Sequence, residues 1–500
     1  MERLLAMPPS KLVLCVIDAM APAMLERTVA DGGAPVLGAL MERGLYVPDC
    51  VSAFPSVTPV CAASIVTGAA QDEHLIPGMN WYHREEGRYV EYGSSFRSAQ
   101  RFGIARQLTD TVYNMNRAHL AAKPETIFER LDDADVRTAG TTYLMYRGRY
   151  RHEPQREGAL AKIASSTLMR HPVMGPRELF YADIFASRRT PCRSGLGMPG
   201  VRDRHTGCVG AYMVENDLFD FMLFSLPDND WVSHKYGPEA QLRSIAAADE
   251  QMARMMAPVG GVERFLEDHA VIVMADHSQA PMSGVIPVPT HIPGMHVLGP
   301  DGRAAQDGRP WVAFCPSQRA AMLYVIDEEE RDALRPAIVR DALAMEGVEL
   351  AAWLERDAAG APREGAIRSL AGELRFAPGG ELVDRRGRSW SVEGDLGVVG
   401  ARVADGVILS ESHPDALGRV MEALACPTSG DVLLSAIEGY EFADWGGQAH
   451  VGGGSHGSLR AEDSLAPLIF CGLQTQARSE PWSIKDVTPA IAEFFGLPEV

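Results

Sequence analysis

Three short runs constrain this chain more than any other feature. Leu12–Ile17 (LVLCVI), Phe221–Leu226 (FMLFSL) and Val271–Ala275 (VIVMA) are apolar almost throughout. Continuous apolar runs of this length suit strands buried on both faces, as in parallel sheets covered by helices. Each run ends in metal-grade ligands: Asp18, then Asp228 and Asp230 in PDNDWVSHKYGP, then Asp276 and His277 in ADHS. Helical patterns separate them, in PAMLERTVADGGAPVLGALMERG and again from Pro238 to Met256. This alternation predicts an α/β fold with a mostly parallel central sheet flanked by helices. Ligands bind beyond the carboxyl ends of strands in such sheets, so the three acidic ends can converge.

The remaining segments suggest an interrupted core. Residues 11–300 read as its first part, with a basic, tyrosine-rich insertion around 145–215. Val136–Met145 reads as a further strand, and DEHLIPGMNWYHREEGRYVEYG as an irregular loop. MYRGRYRHEPQREGALAKIASS is either a solvated helix and loop or a substrate-facing insertion. Residues 301–428 read as an inserted α+β subdomain, with RAAMLYVID, ERDALRPAIVRDALAM and GVELAAWLERD as strand, helix and strand. Residues 429–500 return to the core, through the strands DVLLSAIEG and LAPLIFCGL and the helix in SIKDVTPAIAEFFGL.

A formal charge of −19 argues against a surface that coats nucleic acid. A small anionic substrate would then need local positive charge, which bound metal supplies. The eight cysteines form no CxxC pair and are expected to be reduced, as in a cytoplasm. The first apolar run is too short for a signal peptide, and no run is long enough to span a membrane. A cytoplasmic location is the expectation.

The stretch AFPSVTPVCAASIVTG places Thr58 before Pro59, a residue suited to the first turn of a helix that Gly68 would end. Thr58 is then expected at the N-cap, where it serves as a cap or, more sharply, as a nucleophile. A helix N-terminus favours a phosphoryl group. Asp230 and His234 are spaced to share one helix face. HVGGGSHGSL sets His456 in a glycine-rich loop. Three imidazoles and three carboxylates suit Zn²⁺, with Mn²⁺ or Fe²⁺ as alternatives.

In order, strand–Asp18, FPSVTP…TG, PDNDWVSHKYGP, ADHS, GSHG and DVTPAIAEFFGL resemble the type I phosphodiesterase/nucleotide pyrophosphatase branch of the alkaline phosphatase superfamily. The resemblance covers most of 11–300 and 430–500. It implies an alkaline-phosphatase-like fold and two adjacent metal sites. One would use Asp230, His234 and His456; the other would use Asp18, Asp276 and His277, with the Thr58 oxygen as a further ligand. Asp228 and His450 are rivals to Asp230 and His456. The implied activity is hydrolysis of phosphate diesters by a Thr58 nucleophile through a phosphothreonine. Ala19 stands where the family commonly has glycine, and Pro59 where its nucleotide-cleaving members have a base-stacking phenylalanine. Asn80 is the nearest match to the family's phosphate-binding asparagine. Tyr146, Arg147, Arg149 and Arg151 are candidate contacts to a second ester group or a terminal phosphate. Alternatives on the same scaffold are a phosphonate hydrolase or a phosphomonoesterase. A non-catalytic metal- or anion-binding protein is disfavoured, since no ligand is missing. A sulfatase is disfavoured by the lack of a C/S-x-P-x-R pattern.

Overall fold

The computed structural model describes residues 9–498 apart from 156–169, 183, 196–197, 290, 303–308, 358–361 and 476. Its central sheet has eight strands in the order Leu45–Val51, Leu465–Cys471, His269–Met274, Lys11–Ile17, Phe221–Leu226, Thr138–Gly140, Glu178–Tyr181 and Phe185–Ala186. The run from His269–Met274 to Glu178–Tyr181 is parallel, and antiparallel strands close both sides. Register sets where the chain leaves this sheet. Ile17 lies opposite Leu226 and Val16 opposite Met274, so the residues after all three strands leave one edge together.

Alternate residues of the Lys11–Ile17 strand feed two cores, as a two-sided sheet requires. Leu12, Leu14 and Val16 pack with Val60 and Ile65 of the helix Thr58–Thr67 and with Ile491 of the helix Val487–Phe494. Val13, Cys15 and Ile17 pack with Leu25, Val209, Ile245 and Met252 on the other face.

Several expectations change. The helical stretch after the first strand is two helices, Pro22–Ala30 and Pro35–Arg43. Gly32, at φ +74°, turns the chain between them, and Pro35 opens the second. Of the expected strand Val136–Met145, only Thr138–Gly140 is extended in the sheet. The supposed loop around Asn80 contains a hairpin, Asn80–His83 with Arg88–Glu91. Residues 301–428 do contain the expected strand, helix and strand, at Ala320–Val325, Arg331–Leu343 and Val348–Arg356. The two strands belong to a second sheet, of eleven strands among the described residues. Val432–Ala436 is not a strand of the central sheet. It lies between Ala320–Val325 and Val348–Arg356 and pairs antiparallel with both. The helical part expected near 156–166 falls outside the described residues.

The cysteines are also corrected. Cys192 and Cys208 form a disulfide, joining the helix Arg202–Glu215 to the segment before it. The other six are buried thiols. The cytoplasmic expectation drew on eight reduced cysteines, and the bridge removes that support. No helix among the described residues is long and apolar enough to cross a membrane.

Candidate metal centre

Asp18 follows the Lys11–Ile17 strand directly, and the Asn229 amide holds its carbonyl at 2.8 Å. Ala19 sits in the left-handed region at φ +57°, which accounts for a preference for glycine there. Its N–H donates to Asp276 Oδ1 at 3.2 Å, as does that of His277 at 3.1 Å.

PDND is helical from its first aspartate, in Asp228–Tyr236. Asp230 and His234 stand one turn apart, with His234 Nε2 3.2 Å from Asp230 Oδ1. The Nδ1 of His234 meets the Gly454 carbonyl at 2.8 Å. The glycine loop runs tightly against this helix. A Cβ on Gly453 would lie 1.9 Å from the His234 carbonyl oxygen. His456 is set by its Nδ1 contact with the Ser56 carbonyl, at 2.7 Å. Its ring stacks on that of His277 at 3.7 Å, and its Nε2 lies 3.6 Å from Asp230 Oδ1.

Thr58 opens its helix but does not cap it. Val57, extended at φ −121° and ψ 144°, occupies the N-cap, and no side chain caps this end. The Thr58 hydroxyl instead lies 3.2 Å from His277 Nε2. That nitrogen is 3.5 Å from Asp276 Oδ2 and 3.8 Å from Asp18 Oδ1.

Two sets of ligand atoms result: Asp230, His277 and His456, and Asp18, Asp276 and His277, each set within 4.8 Å. They share His277. His234 adjoins the first set through Asp230. Of the rivals, Asp228 is occupied elsewhere, accepting from the N–H groups of Gly200 and Asp203 and from Arg202. His450 stacks over His234 at 4.1 Å, but its Nδ1 is held by Glu441 at 3.0 Å.

Electrostatics favours a cation here. Burial, then Asp276 and Asp230, push the Asp18 carboxyl well above its usual range. Burial also opposes charge on Asp230, but His234 and His456 outweigh it and hold that carboxyl low. Burial and His277 hold His456 well below the usual histidine range. Asp18 Oδ1 and Asp276 Oδ2 are buried without a hydrogen-bond partner. Crowded carboxylates with orphaned oxygens beside three imidazoles fit divalent metal.

The other candidates stand apart. The Asn80 amide donates to the Val90 carbonyl and to Glu91 within its own hairpin. The Tyr146 hydroxyl donates to the Val112 carbonyl. Arg147 binds Glu129 at 3.0 Å and the Ala121 and Pro124 carbonyls. Arg149 binds Glu125, Glu129 and Asp133, and Arg151 binds Glu153. Tyr146 and these three arginines line a cavity of about 530 Å³ whose lining includes none of the metal-ligand candidates.

Two residues near the centre escaped sequence reasoning. Gln279 donates to Asp230 Oδ1 at 2.5 Å, and its position three residues past Asp276 was the available signal. Tyr143, just beyond the strand Thr138–Gly140, is buried with its hydroxyl unpartnered. Burial and the charges of Asp276 and Asp18 keep its proton on.

The same fold occurs in proteins of known structure. Phosphonoacetate hydrolase from Sinorhizobium meliloti 1021, in complex with phosphonoformate, is 17% identical, with a TM-score of 0.55 over 97% of this chain and 96% of that one. Human ectonucleotide pyrophosphatase/phosphodiesterase 5 is 11% identical, with a TM-score of 0.54 over 98% and 96%. An inactive form of its murine counterpart, in complex with AMP, is 10% identical, with a TM-score of 0.52 over the same shares. A search of curated protein sequences gives no match. The sequence profile described as type I phosphodiesterase / nucleotide pyrophosphatase matches residues 12–373, a span that includes Asp18, Thr58, Asp230, His234, Asp276 and His277. With that match and an alkaline-phosphatase-like α/β fold, the chain belongs to the type I phosphodiesterase / nucleotide pyrophosphatase family.

Proposed function

We propose that the protein is a metal-dependent phosphodiesterase that uses Thr58 as its nucleophile. The supporting observation is the Thr58 hydroxyl, free of any capping role and 3.2 Å from the imidazole that the two ligand sets share. Asp230, His234 and His456 would hold one divalent ion and Asp18, Asp276 and His277 a second, with Zn²⁺ the best match to these donors. Such ions activate oxygen nucleophiles and neutralise charge on a leaving oxygen.

The chain's own residues order the reaction. The Thr58 hydroxyl gives up its proton to solvent, its oxygen attacks phosphorus, and the bond to the leaving oxygen breaks, that oxygen departing with the bonding pair and taking a proton from solvent. The substrate phosphoryl group is then an ester of Thr58. Water attacks that phosphorus, the bond to the Thr58 oxygen breaks, and the threonine regains its proton. The positive end of the helix Thr58–Thr67 faces the charge on the phosphoryl oxygens.

A second reading, phosphonate hydrolysis, is favoured by one residue. Pro59, buried directly after Thr58, offers no aromatic ring to stack a nucleobase. The deciding experiment compares steady-state hydrolysis of bis-p-nitrophenyl phosphate, p-nitrophenyl phosphate and phosphonoacetate by the zinc-loaded protein and its Thr58→Ala variant. Preference for the diester, lost in the variant, is the expected result. Preference for phosphonoacetate selects the second reading. A variant as active as the wild type removes Thr58 from the chemistry.

A further inference from the structure

The second sheet reaches the metal centre through one side chain. Gln318 stands in the tight turn between the strands Trp311–Ser317 and Ala320–Val325. Its backbone is left-handed at φ +60°, a costly conformation for a residue with a Cβ. Its neighbours hold the turn against the loop that carries His456. The Arg319 N–H donates to the His456 carbonyl at 2.9 Å, and a Cβ on Gly457 would lie 2.8 Å from the Ser317 carbonyl oxygen. The buried Arg319 guanidinium pairs with Asp463 at 2.9 Å, and Asp463 accepts from the Ser458 N–H at 2.8 Å. The Gln318 carbonyl itself accepts from the Phe442 N–H at 2.7 Å. The turn is thus fixed on every side, and the Gln318 side chain starts from a set position.

The carboxamide meets the centre at His234. Gln318 Nε2 is 3.5 Å from His234 Nε2, a contact too long to spend the amide's bonding capacity. His234 turns its Nδ1 to the Gly454 carbonyl, so Nε2 is the nitrogen left for an ion. An ion there would use that lone pair and leave the Gln318 amide N–H without an acceptor. Gln318 Oε1 is buried and has no donor among the described residues. An orphaned acceptor beside a released donor is the pair that a water or an ester oxygen satisfies.

Thr58 and Gln318 meet the centre at its two ends. Contacts run from Thr58 to His277, from His277 to His456 and Asp230, and from Asp230 to His234 and Gln318. In-line displacement at phosphorus brings the incoming group in opposite the outgoing one. With Thr58 as nucleophile, the place opposite it holds the leaving oxygen in the first step and the attacking water in the second. We propose that Gln318 lines this place. Its Nε2–H donates to the leaving oxygen, and its Oε1 then accepts a hydrogen bond from the water that cleaves the phosphothreonine. That water gives up a proton to solvent as its oxygen bonds to phosphorus. The bond from phosphorus to the Thr58 oxygen breaks, its electron pair stays on that oxygen, and the oxygen takes a proton from solvent. The inference rests on the Thr58 reading above.

Rapid acid quench of the zinc-loaded full-length protein during turnover of bis-p-nitrophenyl phosphate, followed by intact-mass measurement, tests this. Loss of the amide should slow the second step more than the first, since p-nitrophenolate needs little help to leave. Gln318→Leu is expected to lower kcat about tenfold or more and to release a burst of about one p-nitrophenolate per chain. Most chains of the variant should then carry a p-nitrophenyl phosphoryl adduct, with bound zinc unchanged. Gln318→Ala should behave alike, and circular-dichroism melts check that both variants are folded. The proposal is overturned if both variants turn over like the wild type, if kcat falls without accumulation of the adduct, or if zinc is lost with the rate. Absence of the adduct from every protein, or its persistence in Thr58→Ala, would instead show that the Thr58 reading has failed, and this inference with it.

Discussion

The hydroxyl oxygen of Thr58 lies 3.2 Å from Nε2 of His277, and that nitrogen belongs to both sets of ligand atoms. A helix-capping threonine would have spent its oxygen on a backbone N–H two or three residues on, and Thr58 makes no such bond. Removing the oxygen should therefore spare the fold and stop the chemistry. Thr58→Ala is expected to melt within about 1 kcal/mol of the wild type and to lose roughly a thousandfold or more in kcat on a diester. Thr58→Ser keeps an oxygen and should retain part of the rate. Rates and thermal melts on the three proteins check this; equal losses in rate and stability would point to a packing role.

Gln279 acts on the centre through Asp230. Its Nε2 donates to Asp230 Oδ1 at 2.5 Å and to the Asp230 carbonyl at 3.2 Å. That pair of bonds fixes the carboxylate toward His456. Partners of this kind change metal affinity by about 10–100-fold when mutated. Gln279→Leu is thus expected to weaken zinc binding by that order while leaving the fold intact. Competition with a chromophoric chelator measures it, and unchanged affinity would show that Asp230 is oriented without help.

Local chemistry made the centre legible in the sequence, and longer-range pairing hid the rest. Asp18 and Asp276 could be found because they follow buried strands closely, and Asp230 because it stands one helical turn before His234. The cap was misplaced by one residue because it depends on the backbone of Val57, which no side chain reports. Val432–Ala436 has the pattern of a buried strand, but a pattern does not say which sheet accepts it. The roles of Arg147 and Arg149 depend on Glu129, which lies in the separate helix Ile127–Asp133. Spacing alone could not pair Cys192 with Cys208.

Asp203 should give the fold a pH dependence of its own. Burial, then Asp228, raise its carboxyl from 3.8 to about 8. Between those values the folded chain keeps a proton that the unfolded chain has lost. Stability from this group therefore falls as pH rises from about 4 to about 8 and levels off above. Asp203→Asn keeps an oxygen for the Asp228 N–H, now accepted at 3.0 Å, and removes the titration. Urea midpoints should match the wild type near pH 4 and exceed it at pH 8. Parallel curves across that window would mean that Asp203 ionises normally in the fold.

The glycine loop offers a test in which neighbouring residues predict different outcomes. Gly452, at φ +84°, has nothing within 4 Å of the point where a Cβ would stand, so Gly452→Ala meets only backbone strain, about 1 kcal/mol. At Gly453 the Cβ would fall 1.9 Å from the His234 carbonyl oxygen and 3.2 Å from that of His450. Both obstacles are backbone, so no side chain can swing aside. The loop must move, and with it His456, which now lies 3.6 Å from Asp230. Gly453→Ala is therefore expected to lower metal affinity as well as Tm, whereas Gly452→Ala lowers Tm slightly and leaves the metal in place. Paired melts and zinc titrations separate the two. If both variants lose metal equally, the glycines serve the flexibility of the loop rather than its close approach to the Asp228–Tyr236 helix.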